Sequence, residues 1–167
     1  MKKYATENTD MIIHPISPVF NEDSRILILG SFPSVRSREE GFFYGHPQNR
    51  FWKVTACVFE ENAPQTIEEK KAFLLRNHIA LWDVIGSCEI TGSSDSSIKN
   101  ATVNDISVIL NTADIRSIYL NGGKAYQLYQ KYMLPATCRE GICLPSTSPA
   151  NATWSLDRLK DAWKIIR

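Results

Sequence analysis

Arg25-Ile-Leu-Ile-Leu-Gly-Ser-Phe-Pro-Ser-Val-Arg-Ser-Arg-Glu-Glu-Gly-Phe-Phe-Tyr-Gly-His-Pro-Gln-Asn-Arg-Phe-Trp52 is the stretch whose reading decides the fold. Ile26 to Leu29 is an unbroken run of isoleucine and leucine, the pattern of a strand buried on both faces of a parallel sheet. Gly30 stops the run. The Ser, Pro, Gly, aromatic, His and Asn residues that follow carry no apolar period, which is loop chemistry. Open parallel sheets bind ligands beyond the carboxyl ends of their strands, so a site is expected in this loop.

Three further runs extend the pattern. Ile79 to Ile85 reads as a second buried strand, with Asp83 its one polar residue and Gly86 its end; Ile115 to Leu120 reads as a third and Gly141 to Pro145 as a short fourth. Helical spacings separate them. A helix entered at Pro47 is expected to hold Asn49 and Arg50 in its first turn, with Phe51, Trp52, Thr55 and Val58 following. Ile67 to Asn77 carries Thr66 as N-cap and Glu69 at capping-box spacing. Val103, Ile106, Leu110 and Ala113 share a face behind Asn100 or Thr102 as cap. Ala125, Leu128, Tyr129 and Tyr132 form another stripe, and Leu156, Leu159, Trp163 and Ile166 a last one, capped by Asn151 or Thr153. The Ser-rich 92–99 segment reads as loop, and residues 1–24 as an extended segment packed on the rest. The order β-α-α-β-α-β-α-β-α predicts an α/β fold with a central four-stranded, mainly parallel sheet covered on both faces.

Composition bounds the class. A chain of 167 residues with 43% hydrophobic and 22% charged residues is expected to form one globular domain, 1–167, and to be neither disordered nor a repeat array. A net charge of +1 gives no global nucleic-acid signal; Arg36, Arg38, Arg50 and Lys53 against Glu39 and Glu40 leave the opening stretch locally positive. No apolar run of signal-peptide or membrane length is present, so the expected location is cytoplasmic with no membrane contact. Cys57, Cys88, Cys138 and Cys143 contain no CxxC and lack the companion spacing of a metal site, and are read as buried or half-buried free thiols. No metal, no cofactor and a monomer are expected.

The strand ends gather Gly30-Ser31-Phe32-Pro33-Ser34, the Phe42 to Asn49 loop, Asp83, Asn121-Gly122-Gly123 and Ser146-Thr147-Ser148-Pro149-Ala150-Asn151 at one rim. There is no Gly-x-Ser-x-Gly elbow, no His-rich metal cluster, and Gly122-Gly123-Lys124 lacks the spacing of a P-loop. Gly30-Ser31-Phe32-Pro33-Ser34, then Tyr44-Gly45-His46-Pro47-Gln48-Asn49-Arg50-Phe51-Trp52, with Ser146-Thr147-Ser148-Pro149-Ala150 near the C-terminus, resembles the uracil-DNA glycosylase superfamily, and within it the hypoxanthine-DNA (deoxyinosine) glycosylase branch.

This resemblance runs from about Ile13 to the C-terminal helix. It implies a three-layer α/β/α sandwich and a monofunctional enzyme that hydrolyses the N-glycosidic bond of a deaminated base, hypoxanthine or uracil, in double-stranded DNA. Such an enzyme flips the base and holds it by stacking and edge hydrogen bonds. The resemblance assigns the water-positioning role to Asn49, because Phe32 stands where other branches carry a polar catalyst. It places Phe32, Phe43, Tyr44, Asp83 and Ser146 around the base. Asp83 can accept from a ring N–H, or act protonated or as a base. Gly30, Ser31, Ser34, Arg36, Arg50, Ser148 and Asn151 fall along the DNA backbone. Each has an ordinary alternative: Phe42 and Phe43 as core, Asn49 as a helix-start residue, Asp83 as a turn cap, the Ser-Thr-Ser run as turn chemistry. A non-catalytic nucleic-acid binding member of the same fold is the competing reading, and a small-molecule hydrolase a third.

Overall fold

A computed structural model describes residues 10–167 of the chain, so the first nine residues of the expected N-terminal segment lie outside the described range. In chain order the first elements are β1 (Met11–Ile13), β2 (Ile26–Gly30), α1 (Val35–Glu40), α2 (Phe51–Val58) and α3 (Ile67–Arg76). There follow β3 (Ile79–Asp83), β4 (Ile85–Glu89), β5 (Lys99–Val103), α4 (Ser107–Thr112) and β6 (Ser117–Asn121). The chain closes with α5 (Gly123–Leu128), α6 (Leu134–Thr137), β7 (Gly141–Leu144) and α7 (Leu156–Trp163). Among the described residues no helix is long and apolar enough to cross a membrane.

The four expected strands pair in the order β3-β2-β6-β7, every neighbour parallel. Because side chains alternate along a strand, the sheet feeds two cores. Ile28, Leu81 and Tyr119 pack with α2, α3 and α7, while Leu27, Leu29, Ala80, Ile118 and Leu120 pack with α4 and α5. This is a three-layer α/β/α arrangement. Leu27, Ile28 and Leu29 are wholly buried, and each such side chain contributes about 1.5–3 kcal/mol relative to exposure. The capping box at Thr66 and Glu69 is formed from both sides.

The second expected strand divides. Val84 N–H donates to Gly30 O at 2.8 Å and Ile85 N–H to Ser31 O at 3.1 Å, while Asn104 Nδ2 donates to the carbonyls of Asp83 and Ile85. The ladder to β2 ends with the bonds of Val84 and Ile85, and from Ile85 onward the chain pairs with β5 and β1. Gly86, expected to end the strand, lies inside β4, which joins β1 and β5 in a small antiparallel sheet. Residues 99–103, expected to lead a helix capped by Asn100 or Thr102, are strand β5, and the helix begins at Ser107. Val19 bridges Leu81 antiparallel, fastening the N-terminal segment to the edge of β3.

Four other expectations shift. Residues 35–40, read as loop, form α1, with Ser34 as N-cap and Gly41 in the left-handed region at its end. After α5 the helix widens into a π turn over Tyr129–Met133, and Pro135 has no N–H to continue an α ladder. The extra residue rotates the stripe, so Met133 is buried and Tyr132 is exposed. Ser155 caps α7, accepting from Arg158 N–H, in place of Asn151 or Thr153. All four cysteines are free, but only Cys88 is buried; Cys57, Cys138 and Cys143 are exposed.

Candidate active site

The carboxyl end of every main-sheet strand contributes to one cavity of about 310 Å3: Gly30 from β2, Asp83 from β3, Asn121 from β6 and Ser146 just beyond β7. A volume of this size is at the lower end of small-molecule sites, about 300–1,000 Å3. Phe32, Phe43 and Tyr44 supply its aromatic wall. Among the described residues Asp83 and Asp95 are its only carboxylates, and no Lys or Arg lines it.

Asp83 is 3% exposed, and its two oxygens have different surroundings. Oδ2 accepts from His14 Nε2 at 2.7 Å. His14 Nδ1 accepts from Ile16 N–H at 3.1 Å, so the ring hydrogen stands on Nε2 and points at Asp83. Oδ1 takes no bond from the described residues and borders the cavity beside Gly30, its register partner in the sheet. A Cβ on Gly30 would run into Asp83 Oδ1 and stand 2.9 Å from Tyr44 Oη, which explains a glycine at this strand end.

Tyr44 stacks its ring on Phe51, centroids 4.1 Å apart and planes 21° apart, and holds a backbone φ of 52°, a strained value for a bulky side chain. Its hydroxyl is buried without a partner among the described residues. Burial first, then the charge of Asp83, keeps the phenol protonated far above the ordinary tyrosine range. Backbone strain and an orphan hydroxyl thus coincide at one residue of the cavity wall.

Asn49 is held by the loop after β7. Its Oδ1 accepts from Phe51 N–H at 3.0 Å and from Thr147 Oγ1 at 2.9 Å, and Thr147, fully buried, accepts in turn from Asn121 Nδ2 at 3.0 Å. Thr147 N–H returns to Asn121 Oδ1 at 3.0 Å. With both acceptor positions of Oδ1 filled, the open part of Asn49 is its amide N–H2. The helix start lies one turn later than expected, with Arg50 in the N-cap position and Asn49 supplying the capping oxygen.

The remaining expected residues divide between cavity and frame. Ser31, Ser34 and Ser148 line the cavity; Ser31 donates to Asp95 Oδ1 at 2.8 Å, and Ser34 caps α1. Ser146 Oγ accepts from Ser148 N–H at 3.1 Å, leaving its own hydrogen free. Asn151 borders an adjoining, more open groove of about 500 Å3 that includes Trp154. Arg36 pairs with Glu40 at 2.7 Å on exposed α1 and does not reach the cavity. Arg50, expected along the DNA backbone, has its guanidinium committed to the carbonyls of Trp154, Ser148 and Asn151. Phe42 stacks on Trp52 within the core, as its ordinary reading had it.

His14 and Asp95 were not among the expected site residues. His14 follows the short strand β1, in a segment with no periodic signal, and Asp95 lies in a serine-rich loop, so neither position is marked by local pattern. The loop is fastened from outside the cavity: Val35 N–H donates to Ser93 Oγ at 2.9 Å and Arg38 Nη2 to Gly92 O at 2.9 Å, with the Arg38 guanidinium over the Phe32 ring. Although Asp95 as a residue is exposed, its carboxylate is turned onto the cavity rim, and burial raises it above the ordinary aspartate range.

The same architecture occurs in known proteins. Two curated relatives, hypoxanthine DNA glycosylases of Methanosarcina acetivorans and Methanosarcina barkeri, are 36% identical over 93% of this chain and 98% of theirs, and 34% identical over 87% and 92%. A Methanosarcina acetivorans protein solved by solution NMR and assigned to the uracil DNA glycosylases superposes with a TM-score of 0.77 at 33% identity, covering 93% of this chain and 99% of that one. The model of the Uracil DNA glycosylase superfamily matches residues 17–167, and the chain belongs to that superfamily.

Proposed function

We propose that the protein is a monofunctional DNA glycosylase that removes hypoxanthine from double-stranded DNA as the first step of base excision repair. The floor of the cavity carries this reading. Tyr44 O–H and Asp83 Oδ1, a donor and an acceptor without partners among the described residues, flank the same point above Gly30. Hypoxanthine presents the complementary pair, O6 to accept and N1–H to donate. Adenine reverses it at N1, setting a lone pair against the carboxylate. Uracil offers the same pair at O4 and N3–H, so its excision belongs to the same reading. The names of the two relatives favour the purine.

The reaction breaks the bond between C1′ and the base nitrogen, the electron pair leaving with the base. Water adds to C1′; one of its hydrogens ends on the base and the other on the new hydroxyl. Asp83 and Asp95, in a cavity that no Lys or Arg of the described residues lines, favour the cationic sugar that develops. Asn49 Nδ2–H2 holds the water through its oxygen, and Ser146 O–H is the donor available to the departing base. Phe32 and Phe43 enclose the base, and stacking on an aromatic contributes about 1–3 kcal/mol per base. Among the described residues no lysine lines the cavity, so none of them places an amine to trap the sugar and cut the strand. Ser31, Ser34, Ser148 and the Gly30 loop face the flanking phosphates, with Asn151 in the adjoining groove.

The test is a duplex carrying one labelled deoxyinosine, treated with protein and then with alkali. Cleavage at the inosine after alkali, and none before it, is expected. No cleavage above a buffer control ends the proposal.

A further inference from the structure

A carboxylate is not by itself selective for hypoxanthine. Guanine carries the same O6 and N1–H, and adds a 2-amino group that lets it meet both oxygens of a free carboxylate at once. Asp83 is not free. His14 Nε2–H occupies Oδ2 from behind at 2.7 Å, and the His14 ring is itself fixed by Ile16 N–H on Nδ1 and by the edges of Phe32 and Trp82, centroids 5.8 and 6.4 Å away. The His14 side chain is 2% exposed, so no solvent competes for that bond.

We infer that His14 is a specificity-determining residue: by holding Asp83 Oδ2 it leaves one acceptor, Oδ1, facing the base, and so excludes guanine. Hypoxanthine has one N–H on that edge and is fully matched. Guanine would bury its 2-amino group without a partner, and an unmade hydrogen bond in a closed site discriminates more strongly than a matched one attracts. For an enzyme that must ignore the guanines of undamaged DNA, the fixed Oδ2 is as important as the open Oδ1. This inference rests on the proposed reading of the base by Asp83 and Tyr44.

Recognition can be measured apart from bond breaking with duplexes carrying a non-hydrolysable 2′-fluoroarabino inosine or guanosine, each opposite an abasic site so that neither must be unpaired. The wild-type protein is expected to bind the inosine duplex at least about tenfold more tightly than the guanosine duplex. His14→Phe keeps an aromatic ring but removes the N–H, and is expected to reduce that ratio about tenfold. His14→Gln places an amide N–H near the same point and should retain the wild-type ratio. Asp83→Asn gives an independent readout that leaves His14 in place. His14 Nε2–H demands the Asn oxygen, which turns the amide N–H2 to the base, so inosine binding should fall while adenosine, with its N1 acceptor, gains. An unchanged inosine-to-guanosine ratio in His14→Phe, or a Gln variant that behaves like Phe, overturns the role of His14. Should His14→Phe not fold, Asp83→Asn decides: retained preference for inosine shows that His14 does not set the orientation. If the wild-type protein neither prefers inosine nor excises hypoxanthine, the proposed function fails first, and with it this inference.

Discussion

Thr147 Oγ1 donates its hydrogen to Asn49 Oδ1 at 2.9 Å, joining residues 98 positions apart, and this bond decides which end of the Asn49 amide can meet the substrate. Asn49→Asp separates the two ends. The carboxylate can still accept from Phe51 N–H and Thr147 Oγ1, so the fold should keep its melting temperature within a few degrees. The amide N–H2 is lost. Misplacing a reacting group typically lowers turnover about 10²-fold, and single-turnover excision of deoxyinosine should fall by about that much as the water loses its hold. Activity near wild type in Asn49→Asp would mean that the water is held by oxygen, against the proposal.

The support beneath that amide gives a second expectation. Thr147→Val removes a hydroxyl that donates to Asn49 and accepts from Asn121 Nδ2 at a fully buried position. Stability should drop by about 1–3 kcal/mol in urea denaturation, the usual cost of stranding buried polar partners. Excision should slow with little change in duplex affinity, because Asn49 loses its orientation and not its presence. A loss of affinity with unchanged turnover would assign the network to binding.

The main sheet was legible because its signal is local. Leu27–Leu29 and Ile118–Leu120 are buried on both faces, so each strand is written as a continuous apolar run. The small sheet was not, because β1 is three residues long and largely exposed, β5 is largely exposed and carries polar residues such as Lys99 and Asn100, and β4 begins at the end of a run that already read as strand. The break after Asp83 depends on Asn104, 21 residues away, bonding the Asp83 carbonyl. Of the site, Asn49, Asp83 and Tyr44 were reached through motifs and strand ends. His14 was invisible for the same reason as the break: its partner is 69 residues distant, and a lone His beside a Pro carries no period. Arg50 was placed along the DNA backbone on its charge alone, because a sequence does not show the three carbonyls that surround its guanidinium.

Tyr44→Phe should separate stability from function. The hydroxyl is buried with no partner among the described residues, and such a group costs about 1–3 kcal/mol. Its removal is expected to raise stability by about 1 kcal/mol, a gain common where function requires an unsatisfied group. Excision of hypoxanthine should weaken at the same time, through loss of the bond to O6. A variant both less stable and fully active would mean that the hydroxyl serves the fold alone.

Asp95 yields a dependence on pH whose sign follows from the direction of its shift. Burial raises the folded-state acid above its ordinary value of 3.8, with the Ser31 hydroxyl opposing. The folded state therefore favours the protonated form, and the stabilisation it lends is complete below the unfolded value and disappears as pH rises through the raised one. Above the raised value the folded state holds a buried carboxylate charge that the Ser31 hydroxyl and Lys124 offset only in part. Asp95→Asn, which can still accept from Ser31, should melt higher than wild type at pH 7, and the difference should shrink as pH falls toward 4. A gap that grows on acidification would reverse the assignment.

Arg50 offers the sharpest separation between frame and interface. Its guanidinium reaches the carbonyls of Trp154, Ser148 and Asn151, fixing the loop that carries Ser146 and Thr147. Lysine has the charge but not the planar fork, and one ammonium cannot span the same three oxygens. Hydrogen bonds to a charged group contribute about 1.5–3 kcal/mol each, and with partial replacement by the ammonium Arg50→Lys should destabilise the fold by about 2 kcal/mol. The dependence of duplex affinity on salt should keep its slope, because a guanidinium bound to carbonyls neutralises no phosphate. If Arg50 instead held the DNA backbone, stability would be unchanged in Arg50→Ala and the slope of log affinity against log salt would become shallower by about 0.9. Urea denaturation and a salt titration of the same two variants distinguish the cases, and a loop loosened in Arg50→Lys should also be cut sooner by protease between residues 146 and 154.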